Sequence, residues 1–137
     1  MRTIDKGQIA MLKVELLAAE KGITICKPTI EGLRYDIIID DNGKLKRVQV
    51  KYCDCKTSCS ENSYSVNLRK VQNNSNKDIK LYTENEIDGL LVYLPVIDKV
   101  LWFDSKKIAN KQVLTIRTDL PKRGHIKNSN MAEDYIW

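Results

Sequence analysis

Four side chains in this sequence are out of keeping with their surroundings: Glu15, Asp36, Gln49 and Lys51. Asp36 opens the run Asp-Ile-Ile-Ile, whose apolar character predicts a strand buried on both faces. A carboxylate there needs a partner. In RVQVKY, residues 47–52, a period of two puts Gln49 and Lys51 on one face and Val48, Val50 and Tyr52 on the other. The polar face is expected to be internal. A carboxylate, an amide and an ammonium that face each other neutralise their charges, and they also offer a divalent cation hard oxygen ligands with open positions. The expected metal ligands are the Asp36 carboxylate, the Gln49 side-chain oxygen and the Val50 backbone carbonyl, with magnesium as the best-fitting ion and manganese as a substitute. The corresponding chemistry is metal-assisted phosphodiester hydrolysis. The ion would acidify a water, and Lys51 would position or help deprotonate it and stabilise charge on the attacked phosphate. Glu15 would hold a bound water or orient Lys51. Two structural alternatives stand beside this: Glu15 at the rim of the core paired with a Lys or Arg, and Asp36 with Lys51 as a structural ion pair.

The elements that must position these residues follow from pattern. Helix formers dominate from Lys6 to Lys21 and Gly22 supplies a stop. On the wheel, Lys6, Lys13 and Glu20 share a solvated side, and Glu15 lies opposite with Gln8, Met11, Leu12, Ala18 and Ala19. A first strand is expected at 23–26. A hairpin follows at 35–40 and 47–52, around Asp-Asn-Gly at 41–43. Further strands are expected at 64–68, 89–94, 100–103 and 113–117, with a turn at 95–99 and a short helix at 105–110. An exposed loop at 73–76 and a polar, irregular tail from Asp119 complete the pattern. The order points to an α/β fold, a single domain over 1–137 built around one mixed sheet.

Composition agrees with a folded domain: 137 residues, 42% hydrophobic and 30% charged. No apolar stretch is long enough to span a membrane and no signal peptide is evident, so a cytoplasmic location is expected. The net charge of +5 favours polyanionic partners. Cys53, Cys55 and Cys59 cluster, but neither Cys26 nor His125 is placed to complete a zinc site, and free thiols are expected in a reducing compartment.

An Asp near the start of one strand, then polar-x-Lys on the next strand, after a helix bearing Glu, resembles the PD-(D/E)XK nuclease superfamily. RYDIIID, RVQVKY, YTENEIDGLLVYLP and VLWFD together resemble its intron-encoded homing endonucleases over most of the chain. The resemblance implies a restriction-endonuclease-like mixed β-sheet flanked by helices. It also implies a magnesium-dependent DNA endonuclease, most readily a site-specific homing enzyme. A four-way-junction resolvase, a restriction endonuclease and a catalytically silent DNA-binding module are the alternatives. Two departures stand out: Arg34-Tyr35 precedes Asp36 where a proline stands in the name motif, and Gln49 replaces an acid, as in the homing group. Of the inward helix residues Gln8, Met11 and Glu15, only Glu15 is acidic.

Double-stranded DNA is the expected partner. Lys106, Lys107, Lys111, Arg117, Lys122, Arg123 and Lys127 form the main candidate backbone-binding surface, the alternative being a solvated basic edge. Arg69, Lys70 and Lys77, with Gln72, Asn73 and Asn74, form a second patch suited to base edges, or simply a turn. Cutting both strands calls for two active sites, hence a homodimer or homotetramer.

Overall fold

Residues Thr3–Lys21 form helix α1, two and a half turns of which carry small or branched apolar residues at four-residue spacing: Ala10, Val14 and Ala18 are fully buried. Arg2 pairs with Asp5 in the first turn, where a carboxylate favours the helix dipole. Gly22 ends the helix in the left-handed region at φ 70°, its N–H reaching the Ala18 and Ala19 carbonyls. The inward stripe is narrower than the wheel suggested, since Gln8, Leu12 and Ala19 are exposed. On the side expected to be solvated Glu20 is exposed, and Lys6 reaches Asp54 at 2.5 Å and Lys13 reaches Asp98 at 2.7 Å in exposed ion pairs.

The computed structural model describes residues 1–58, 60–71, 79–119 and 130–137. The strands are β1 (Thr24–Cys26), β2 (Ile37–Asp41), β3 (Lys44–Tyr52), β4 (Ser63–Asn67), β5 (Lys70–Val71) and β6 (Ile79–Lys80), followed by β7 (Gly89–Leu94) and β8 (Lys99–Asp104). After the short helix α2 (Ser105–Ile108) come β9 (Val113–Arg117) and β10 (Asn130–Met131). The central sheet has five strands in the order β1-β2-β3-β7-β8. Its pairs are antiparallel except β3 with β7, so it is mixed, as expected.

The β2–β3 hairpin turns on Asn42 and Gly43, both at positive φ, with the Gly43 N–H donating to Asp40 Oδ1 at 2.8 Å. Its register runs from Asp41 opposite Lys44 to Ile37 opposite Val48. There β2 stops while β3 continues along β7 to Tyr52, opposite Tyr93. The last four residues of β3 therefore have a strand on one side only. A parallel pair needs a long crossover, and between β3 and β7 the described residues of that connection form β4, β5 and β6 and no helix.

Two cores lie on opposite faces of the central sheet. Ala10 and Val14 of α1 pack against Ile37, Ile39, Val48, Val50 and Leu91. On the other face Leu90, Val92, Leu101 and Phe103 meet Tyr64, Val66, Leu114 and Ile116. The expectation of one sheet is corrected here, because β4 and β9 do not join the central sheet. They form a separate three-stranded sheet, β10-β9-β4, and β5 pairs with β6 as a two-stranded ribbon. Two buried faces on the central sheet require two covers, and the chain builds one from α1 and the other from strands. Strand β2 is buried on one face rather than two: Ile37 and Ile39 are covered by α1, and Ile38 is half-buried.

The tail is also corrected. Residues 130–137 are ordered by packing, with Tyr135 stacked on Phe103 at 4.5 Å and the Trp137 N–H donating to Val100 O at 2.9 Å. The loop expected at 73–76 lies outside the described residues.

Gly89, the first residue of β7, carries a strict size limit. A Cβ there would come within 2.1 Å of the Trp102 indole, which lies across it. Gly89→Ala should cost about 1–3 kcal/mol, the usual penalty for overpacking. The check is a lowered urea midpoint at unchanged m-value.

Candidate active site

The early end of β2 leaves an edge of β3 open, and Asp36 fills it. The Asp36 N–H donates to Val48 O at 2.9 Å, which turns the chain out of the ladder. Its carboxylate Oδ2 then accepts from the Val50 N–H at 2.9 Å and from Gln49 Nε2 at 2.6 Å. In an extended strand the N–H and C=O of one residue point to the same edge. The Val50 carbonyl therefore opens on the side where Asp36 sits and where β2 has ended. Asp36 Oδ1, the Gln49 side-chain oxygen and Val50 O are left at this edge.

This donor set suits one small hard cation. Among the described residues, no three His, Cys, Asp or Glu side chains gather to hold a metal; at this edge Asp36 would be the charged ligand, and Gln49 and Val50 would add neutral oxygens. Magnesium commonly takes one or two carboxylates and keeps several waters, which this arrangement permits.

Lys51 projects to the same face of β3 as Gln49, away from α1 and toward the second core. Its ammonium lies 6.0 Å from the Tyr82 ring centre. Burial lowers its pKa from the ordinary lysine value, with Asp36 opposing the shift and Arg34 and Lys70 adding to it. Arg34 stacks on Tyr82 at 4.3 Å, and its Nε sits 3.1 Å from Glu86 Oε2. That separation makes an ion pair, but its angle falls outside hydrogen-bond geometry, so the guanidinium N–H groups count as unpaired. Glu86 also receives Lys80 at 3.5 Å and the Thr83 hydroxyl at 3.0 Å. The segment bearing Tyr82 and Glu86 is anchored to β3 by Asp88, which accepts from the Arg47 N–H at 2.8 Å.

The structure thus brings Asp36, Gln49, Val50 and Lys51 together. Glu15 lies on α1, which covers the Val48 and Val50 face, and its carboxylate pairs with Lys27, just past β1. Tyr82, Glu86 and Lys80 around Lys51 were not singled out from sequence. For Arg34 a signal existed, its two-residue spacing from Asp36.

Of the basic residues, Lys106, Lys107 and Lys111 are exposed on or beside α2, with Lys107 reaching Asn130 Oδ1 at 3.3 Å. Arg117 is largely covered and bonds to Ser60 and Asp119 at 3.4 and 3.5 Å, which makes it part of the second sheet's own structure. Arg69 is exposed and bonds to Asn67, and Lys70 is exposed close to Lys51. Lys77, Lys122, Arg123, Lys127, Cys59 and His125 lie outside the described residues. Cys26, Cys53 and Cys55 are free thiols. Burial pushes the Cys53 thiol up to about 12, which keeps it protonated and unreactive. No helix among the described residues is long and apolar enough to cross a membrane.

With this geometry in view, comparison with known proteins gives concordant results. A bacterial homing endonuclease, I-Ssp6803I, has a similar fold: TM-score 0.79 at 24% identity, covering 99% of this chain and 89% of that one. No curated relative matches the sequence. The PD-(D/E)XK endonuclease family matches residues 1–137, and the chain belongs to that family.

Proposed function

We propose that the protein is a magnesium-dependent DNA endonuclease that hydrolyses phosphodiester bonds, most readily at a specific long site in the manner of homing enzymes. The observation that carries this reading is the junction at the end of β2, where the Asp36 carboxylate meets the Gln49 amide and the open edge at Val50, with Lys51 on the same face. Asp36, Gln49 and Val50 O would hold the ion. A divalent cation bound there supplies Lewis acidity and draws charge from the attacked phosphate. Lys51 orients the attacking water and, because burial eases loss of its proton, can accept one from it. In its charged form it stabilises the phosphate as negative charge builds. Manganese would substitute for magnesium.

Lys70 beside the site, Arg69, and the exposed lysines 106, 107 and 111 would hold the DNA backbone, giving affinity that falls steeply with salt. Glu15, paired with Lys27, would have a supporting role in this proposal, holding a bound water or orienting Lys51, so Glu15→Gln should slow cleavage less than about tenfold, well short of the effect expected of a general base. Steady-state cleavage rates check this. Cutting of both strands would require a homodimer or homotetramer.

The experiment that tests the function is incubation of the protein with supercoiled plasmid, linear genomic DNA and a synthetic four-way junction, in magnesium, manganese or EDTA, beside Lys51→Ala. Metal-dependent cutting that is lost in the variant is expected. Preference for a long duplex site, a short palindrome or the junction separates homing, restriction and resolution. Salt-sensitive binding without cutting of any substrate in either metal would overturn the catalytic assignment in favour of a DNA-binding module.

A further inference from the structure

Arg34 is the least satisfied polar group among the described residues. Its Nε, Nη1 and Nη2 are all buried without a hydrogen-bond partner, and its side chain is only 12% exposed. Most buried polar groups in folded proteins are paired, and a charged group left unpaired is especially costly. The side chain is nevertheless fixed in place from two directions, by the Tyr82 ring below it and by Glu86 beside Nε. Glu86 does not neutralise the cluster, because Lys80 shares it. Arg34, Lys51, Lys70 and Lys80 together face the carboxylates of Asp36 and Glu86, which leaves an excess of positive charge around Lys51. Two of these cations, Lys70 and Lys80, stand opposite each other on the β5–β6 ribbon, although like charges directly opposite each other weaken a ribbon on their own.

Missing acceptors, a fixed fork of donors and surplus positive charge share one remedy, a phosphate. We propose that Arg34 is a substrate-contacting residue whose Nη groups take a non-bridging oxygen of a DNA phosphate at this site. It rests on the nuclease reading and deepens it, adding a bidentate ligand to the point charge of Lys51. Guanidinium matches phosphate oxygens two at a time, and lysine does not. Since the Nη atoms are covered in the free protein, the contact forms as DNA docks and displaces what lies over them. The acceptors that the free protein lacks then arrive with the substrate.

The test compares wild type, Arg34→Gln and Arg34→Lys, with binding read on a mixed-sequence DNA duplex and cleavage read on whichever plasmid, genomic or junction substrate wild type cuts best. In EDTA, the slope of log affinity against log salt should fall by about one for Arg34→Gln and stay near wild type for Arg34→Lys. In magnesium, both variants should lose about 10- to 100-fold in kcat/KM, the range of one bidentate contact. Wild-type slope and wild-type kcat/KM in both variants, with only thermal stability changed, would overturn the proposal and assign the orphan donors to ordered water. Should the variants not fold, NMR of the wild-type arginine side chains decides: the Arg34 guanidinium signals shift on adding duplex in EDTA if the contact forms, and stay put if it does not. Failure of wild type to cut in any metal would overturn the nuclease reading alone, because the salt slope and the NMR shifts still report whether Arg34 meets DNA phosphate.

Discussion

Asp36→Ala is expected to lower the cleavage rate at least about a thousandfold, the equivalent of about 4 kcal/mol of transition-state stabilisation. Asp36 would be the charged ligand in the candidate metal site, and Gln49 is oriented by donating to it at 2.6 Å. Removing the carboxylate takes away both the ligand and the support of the second ligand. The Val50 N–H, which donates to the same oxygen, loses its partner too, but it lies at an open strand edge that water can reach. Folding should therefore survive, at a cost of about 1 kcal/mol for one hydrogen bond. The decisive comparison is single-turnover cleavage over a magnesium titration, with DNA binding measured in EDTA. Undiminished cleavage by Asp36→Ala would remove this site from the reaction.

Lys51→Met should reduce cleavage by between about 100- and 10,000-fold, the span attributed to a positioned proton-transfer or charge-stabilising group, and it should do so without unfolding the protein. The stability effect runs opposite to the activity effect. Burial lowers the pKa of Lys51 in the folded state, so the unfolded chain holds this proton more tightly. Linkage then makes stability rise with pH wherever the unfolded state binds more protons. The contribution of Lys51 is fullest above the ordinary lysine pKa, declines as pH falls from there to the folded pKa, and stays low below it. At neutral pH a buried ammonium is a net cost, and Met of similar length removes it. Lys51→Met should melt at or above the wild-type temperature at pH 7, with the advantage shrinking as pH rises into the alkaline range. Thermal melts at several pH values read the sign directly, and a variant less stable than wild type at pH 7 would mean that Lys51 is chiefly a structural partner of Asp36. A residue that costs stability and sits beside a lone carboxylate is what function, rather than folding, would retain.

Much of this arrangement is legible in local sequence because it depends on local rules. Asn42 and Gly43 specify the hairpin turn, since both need positive φ. With the turn set, the register of β2 on β3 follows, and alternation separates Gln49 and Lys51 from Val48 and Val50. The resemblance in RYDIIID and RVQVKY points to Asp36, Gln49 and Lys51. Helix α1 and its end at Gly22 are equally local.

What local rules do not carry is which element covers which face. A helical wheel tells which side of α1 turns inward, but not which face of the sheet receives it. In the fold α1 lies on the Val48 and Val50 face, and Glu15 pairs with Lys27. Likewise, strands β4 and β9 have the same alternating pattern whether they extend the central sheet or pack across it as a second one. Nor does the chain show, read in order, that Tyr82 and Glu86 fold back beside Arg34 and Lys51, 31 to 52 residues upstream. The sequence by itself determined the hairpin, the identity of Asp36, Gln49 and Lys51 and their shared edge, because turn conformation and strand period act between near neighbours. Only the tertiary structure decided the Glu15–Lys27 pair, the second sheet and the Arg34 guanidinium without a hydrogen-bond acceptor, because these follow from the requirement that both apolar faces of the central sheet be covered at once.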